Sequence, residues 1–181
     1  MKKGFASTIA AVLASLAIAF AISAALSAAS LQHASLVATE GRLVSQLHSD
    51  AQPFFDAALT DALLDSAYQT CGCSASNSSG LNETIWRLAP QYLANSSGKL
   101  SYGALFVNYS NLAIPSLTVS SCNTSLTGTF SYKVSSNSRN AKIASDVSVS
   151  KTLGVQKTAS AVKINVSNST TLVANVTVTC S

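Results

Sequence analysis

No Asp, Glu, Lys or Arg occurs between Lys3 and Glu40. Within that gap, Phe5 to Leu31 is almost wholly Ala, Ile, Leu, Val, Phe and Ser. An α-helix rises about 1.5 Å per residue, so about 20 such residues cross the hydrocarbon core of a bilayer. This run is longer than that, so it spans with tilt or projects beyond the membrane. Lys2 and Lys3 stand just before it. By the positive-inside rule they are expected to stay cytoplasmic, which puts the rest of the chain outside the cell.

A chain of 181 residues has room for one membrane segment and one modest domain. It is 48% hydrophobic and only 10% charged, against about 25% charged in ordinary soluble domains. This excludes a nucleic-acid-binding tail, a charged disordered protein and a typical cytosolic enzyme surface. It fits a membrane or exported protein whose surface is polar without charge. From residue 71 onward, 23 Ser, 11 Thr and 11 Asn make up about 40% of 111 residues. Apolar residues alternate through that segment, which separates it from polar disorder. Phe130, Tyr132 and Val134 share one face. Val162, Ile164 and Val166 alternate with Lys163, Asn165 and Ser167, and Leu172, Ala174, Val176 and Val178 alternate with Val173, Asn175, Thr177 and Thr179. Such a pattern predicts five or six half-buried antiparallel strands between Tyr102 and Cys180, as a meander or small sandwich.

Residues 32–69 read as helix. Leu36, Leu43, Leu47, Ala51, Phe54, Ala58 and Leu59 recur at helical steps. Pro53, preceded by the capping residues Ser49 and Asp50, predicts a bend, with one segment to about residue 48 and a second to about Tyr68. A further short helix is expected over Asn82–Ala94, which carries Pro90. The fold class is therefore α+β: a long N-terminal transmembrane and stalk helix, then an antiparallel β-rich head. The expected organisation is a basic leader (1–4), a membrane or assembly helix (5–31), a helical stalk (32–69) and an extracytoplasmic β domain (70–181).

Four cysteines, Cys71, Cys73, Cys122 and Cys180, fall on the expected outer side. An even number there predicts two disulfides. A Cys71–Cys73 bridge would close a very tight ring, so each is expected to pair with Cys122 or Cys180, in either arrangement. The Cys-x-Cys spacing is not that of a zinc site, and no metal or cofactor is expected. Eight N-x-S/T sequons, at Asn77, Asn82, Asn95, Asn108, Asn123, Asn165, Asn168 and Asn175, are candidate glycosylation sites.

The N-terminal run Lys2-Lys3-Gly4-Phe5-Ala6-Ser7-Thr8-Ile9 resembles the class III, prepilin-type signal of type IV pilins, in the layout shared by archaeal pilins and archaellin-like proteins. The resemblance in motif covers about the first 30 residues, and beyond them only the order of parts matches. It implies cleavage between Gly4 and Phe5 by a prepilin-type peptidase, with the helix retained. The helix would then anchor the protein in the membrane and, after extraction by assembly machinery, pack in a filament as a homo- or hetero-oligomer. Many bacterial pilins carry Glu where Ile9 stands, so register setting by that charge is not implied here. Two other readings of the helix stay open: a secretory signal cleaved after Ser27-Ala28-Ala29, and an uncleaved anchor.

The charges divide along the chain. Glu40, Asp50, Asp56, Asp61 and Asp65 make the stalk acidic, whereas Lys99, Lys133, Arg139, Lys142, Lys151, Lys157 and Lys163 make the head basic. Attraction between the stalk and head of neighbouring subunits, or simply two solvated faces, accounts for that split. His33 and His48, at the membrane end of the stalk, read as ordinary interfacial residues, and no catalytic constellation, P-loop, G-x-G-x-x-G or H-E-x-x-H motif occurs. The expectation is a non-enzymatic, single-pass exported protein that binds no nucleic acid. Trp86, Tyr92, Tyr102, Phe106 and Tyr109 are expected in the core of the head. The functional expectation is a structural subunit of an extracellular type IV pilus-like filament, a minor or adhesive pilin included, with a non-polymerising, single-pass membrane-anchored cell-surface binding protein as the alternative.

Overall fold

The computed structural model describes residues 3–73, 80–116, 122–168 and 171–180, with side chains from residue 17. Its elements are α1 (Lys3–Cys71), α2 (Leu81–Leu100), β1 (Phe106–Ala113), β2 (Asn123–Asn137), β3 (Lys142–Lys157), β4 (Ala161–Asn168) and β5 (Thr171–Thr179). The protein is α+β, with one five-stranded antiparallel sheet in the order β1-β2-β3-β4-β5. Of the two β architectures expected, the meander is the one formed. The chain divides into two compact units, Met1–Arg42 and Leu43–Ser181.

In the first unit every side chain from Ala17 to Leu36 is exposed. Ile18, Phe20, Ile22, Leu26, Leu31 and Leu36 lie on more than one side of the helix, with Phe20 73% exposed. A helix that is apolar all round belongs in a membrane or inside a larger packed assembly. Its hydroxyls turn back onto the helix: Ser27 Oγ donates to the Ser23 carbonyl at 2.9 Å, Ser30 Oγ to Ser27 at 2.8 Å, Ser35 Oγ to Gln32 at 2.9 Å and Thr39 Oγ1 to Ser35 at 2.8 Å. Back-bonding of this kind satisfies a hydroxyl without water.

In the second unit, α1 residues from Leu43 and the whole of α2 cover one face of the sheet. The buried face of α1 runs through Val44, His48, Ala51, Phe55, Ala58, Leu59, Ala62, Leu63, Ser66 and Ala67 to Cys71. It therefore differs from the face expected from the large apolar residues. Leu43 and Phe54 are exposed, and the buried face takes Phe55 instead, with four alanines that let the helix approach the strands. Pro53 lies inside α1, so the two segments expected on either side of it are one element. The carbonyl of Ser49, which loses its partner at the proline nitrogen, sits on the exposed side, where water can reach it.

α2 extends further than expected, to Leu100, and buries Leu81, Ile85, Leu88, Ala89, Leu93 and Ser96. Its last turn is tied to β1, where the Ser97 and Ser101 hydroxyls donate to the Val107 carbonyl. Gly103, with φ of +60°, turns the chain from α2 into β1, a backbone conformation that favours glycine. On the covered face of the sheet, Phe130, Tyr132, Val134, Leu153, Val155, Val162, Ile164 and Val166 are buried. The Phe55 ring meets Tyr109 and Tyr132 edge-on, with centroids 6.2 and 6.1 Å away. On the last strand the expected alternation fails at Leu172: the register shifts beside Val166, and Leu172 pairs with Ser167 of the outer face.

Two disulfides close the unit, Cys71–Cys122 and Cys73–Cys180. They tie the end of α1 to the starts and ends of strands: Cys122 directly precedes β2 and Cys180 directly follows β5. Between the first two cysteines stands Gly72, where an added Cβ would come within 2.5 Å of the Tyr68 carbonyl oxygen. The residue inside this Cys-x-Cys is therefore restricted to glycine by backbone contact. Lys157 Nζ donates to the Gly72 carbonyl at 2.9 Å and neutralises the negative end of α1.

Candidate functional site

The sheet's covered face is largely apolar, and the charged exception is on β3. Along β3 the residues facing the helices are Val147, Val149, Lys151, Leu153 and Val155, so a lysine stands in the apolar phase. Its side chain is 0% exposed. The strand partner on one side is Gly128, which leaves room for the lysine stem, and on the other it is Asn168. Above it, on α1, lie Asp56 and Thr60, one helical turn apart.

The Lys151 ammonium donates two hydrogen bonds and pairs with the Asp56 carboxylate, whose Oδ1 makes that contact as an ion pair without a hydrogen bond. Lys151 Nζ stands 2.8 Å from Asp56 Oδ1, 2.8 Å from Thr60 Oγ1 and 3.3 Å from the Asp56 carbonyl oxygen. Thr60 Oγ1 in turn donates to that carbonyl at 3.0 Å. The second carboxylate oxygen, Oδ2, accepts a 3.2 Å hydrogen bond from Asn168 Nδ2. Asp56 therefore bridges the lysine and the carboxamide. Burial pushes the nearby Tyr132 hydroxyl up to about 12, helped by the negative charge of Asp56. Tyr132 Oη and Asn168 Oδ1 are buried without a hydrogen bond.

A second polar group crosses the same helix–sheet contact. His48, expected as an ordinary interfacial residue, is buried, with Nδ1 3.3 Å from Ser136 Oγ and Nε2 2.8 Å from Ser145 Oγ. A hydroxyl both donates and accepts, so the two serines satisfy either tautomer. Further along, Tyr92 Oη donates to Asp65 Oδ2 at 3.1 Å. Burial raises the Tyr92 hydroxyl, and that bond and the charges of Asp65 and Asp61 raise it further. The Lys151–Asp56 pair lies within one chain, so part of the attraction expected between neighbouring subunits acts inside the subunit.

The outer face of the sheet is mostly Ser, Thr and Asn, with Lys133, Asp146, Lys163 and Leu172 among them. It carries an open groove of about 770 Å³, lined among others by Asn123, Ser125, Thr152, Gly154, Asn165, Ser167 and Leu172. Three aromatic residues expected in the core are instead exposed: Trp86, Phe106 and Tyr102, the last at 86%. Tyr92 and Tyr109, also expected in the core, are half-buried and pack against it, and Tyr109 Oη donates to the Pro90 carbonyl at 2.9 Å.

The expected processing residues Gly4 and Phe5 lie in the first turns of α1. Of the sequons, Asn95, Asn108, Asn123 and Asn175 are exposed, while Asn82 and Asn165 are half-buried. Asn77 lies outside the described residues. Asn108 Oδ1 accepts from the Tyr109 backbone at 2.9 Å and Asn123 Oδ1 from the Lys157 backbone at 2.8 Å. Asn168 spends on Asp56 the same amide nitrogen that a glycan would occupy. Among the described residues no cluster of three or more His, Cys, Asp or Glu could hold a metal ion.

In the sequence Lys151 reads as one of the basic residues of the head, because its partners Asp56 and Thr60 lie far away along the chain. The alternation from Val147 to Val155 was the available signal. Among the described residues, one helix near the N-terminus is long and apolar enough to cross a membrane. Comparison with protein-family models, with curated proteins and with solved structures finds no match to this chain.

Proposed function

We propose that the chain is a structural subunit of an extracellular type IV pilus-like filament, in a minor or adhesive position. The observation that carries this reading is the helix of residues 17–36, exposed and apolar on all sides, with its hydroxyls turned inward. Such a surface needs lipid before assembly and other helices after it. Its Ala- and Ser-rich composition allows close helix packing. The Lys-Lys-Gly-Phe start supports processing between Gly4 and Phe5 with the helix retained. Two disulfides and exposed sequons support a domain that works outside the cell as a glycoprotein, with the N-terminus cytoplasmic before assembly.

N-terminal sequencing of the mature protein tests the reading. Phe5 as first residue supports it, and a start near Ser30 or a retained Met1 would sink it. A second reading is a non-polymerising, single-pass surface protein that binds a partner. The exposed Trp86, Tyr102 and Phe106 favour it, since amphipathic aromatics serve recognition. Electron microscopy of sheared cell-surface material separates the two. Filaments containing this chain support the first, and its retention in the membrane fraction alone supports the second.

A further inference from the structure

We propose that Lys151 and Asn168 form an intramolecular isopeptide bond, with Asp56 as the acid–base group. The proposal rests on the fold of residues 43–181 and is independent of the filament reading.

The two reacting side chains are direct cross-strand partners on β3 and β4 and face the same side. Partners of this kind hold their Cβ atoms about 5 Å apart. Lys151 is 0% exposed, so its nitrogen is shielded from water. The two oxygens of one carboxylate are divided between the two nitrogens whose protons must move. Oδ1 is 2.8 Å from Lys151 Nζ, and Oδ2 is 3.2 Å from Asn168 Nδ2. A structural ion pair needs only the first contact. The second gives Asp56 a proton route from the nucleophile to the leaving group. Thr60 Oγ1 and the Asp56 carbonyl hold the lysine nitrogen in place. Asn168 Oδ1, buried without a hydrogen bond, is left free to take up charge or a proton as its carbon becomes tetrahedral.

The step balances without a co-reactant. The Lys151 ammonium gives a proton to Asp56 Oδ1, and its freed lone pair attacks Asn168 Cγ. The Nζ–Cγ bond forms and the Cγ–Nδ2 bond breaks. Nζ loses two of its three protons in all, Asp56 relays both to the departing nitrogen, and ammonium leaves. Asp56 ends ionised, as it began, and nothing is oxidised or reduced.

The test is peptide mass spectrometry on the full chain, purified in detergent, reduced, alkylated and digested with trypsin. An acylated lysine resists trypsin. The expected product is a branched species joining Ile143–Lys157, uncut at Lys151, to Ile164–Ser181, lighter than their sum by one ammonia. Lys151→Met and Asp56→Asn should each abolish it, and formation of both disulfides in those variants shows that they have folded. Cleavage at Lys151 with a free Ile164–Ser181 peptide overturns the proposal. So does a glycan on Asn168, or a branch to the Asp56 peptide with loss of water.

Discussion

Within α1, Ile18, Phe20, Ile22, Leu26, Leu31 and Leu36 are exposed, whereas Phe55, Leu59 and Leu63 are buried against the sheet. The two stretches use similar residues. They differ in what the chain supplies to cover them. Beyond residue 43 the helix has its own sheet, two disulfides and a polar network to fix the contact. From Ala17 to Leu36 its side chains are exposed. The first stretch presents an apolar surface, while the second is buried in a core that the chain itself supplies. Each prediction below acts on one stretch and should leave the other unchanged.

The largest expected effect is on the disulfides. The bridges close segments of 51 and 107 residues, for which the chain-entropy model gives about 4 and about 4.7 kcal/mol. Domains of this size are stable by about 5–15 kcal/mol in total. Reduction should therefore remove most of the stability of residues 43–181. Denaturant unfolding followed by Trp86 fluorescence, with and without reductant, measures the loss. The helicity of a peptide covering residues 5–36 in detergent should not respond.

Core truncation and charge orphaning come next. Phe55→Ala should destabilise by about 3–5 kcal/mol, whereas the neighbouring Phe54→Ala should stay within about 0.5 kcal/mol. A similar cost for both would mean that the helix face is misplaced. Asp56→Ala leaves Lys151 buried without its countercharge and should lose about 3 kcal/mol, near the lower end for broken buried pairs because Asp56 is partly exposed. Lys151→Met should lose less, since it removes the buried charge together with its need for a partner. Shifts in denaturant midpoint read all four.

Those pairs also mark how far the fold was legible. The β class, the strand faces of Phe130–Val134 and Val162–Val166, and the pairing of Cys71 and Cys73 with distant cysteines follow from period and spacing. The helix face does not. Large residues suggested Phe54, but close packing on a sheet selects alanines, which carry little pattern of their own. Lys151 and His48 escaped for a related reason. A buried polar residue is defined by its partners, Asp56, Thr60, Ser136 and Ser145, which lie far away in sequence. The exposure of Trp86, Tyr102 and Phe106 is equally a matter of tertiary placement.

The apolar stretch has its own break. Phe20→Asp places a charge where the helix would lie in hydrocarbon, which should disfavour insertion by about 2.5–3.5 kcal/mol. Membrane fractionation should show loss of integration, while the denaturant midpoint of residues 43–181 stays fixed. Coupled loss of both would mean that the two stretches are not independent.

The smallest expected effect concerns Tyr132. Its folded hydroxyl is raised to about 12 by burial and by Asp56, against about 10 for an unperturbed tyrosine. The native state thus favours the neutral phenol. The sign follows from linkage: the contribution is whole below pH about 10 and is lost as pH rises toward about 12, because the unfolded chain ionises first. Tyr132→Phe removes that titration and also a buried hydroxyl that has no hydrogen bond. The variant should match or exceed the parent at neutral pH and lose less stability between pH 10 and 12. An unchanged alkaline slope would show that Tyr132 does not titrate across the helix–sheet contact.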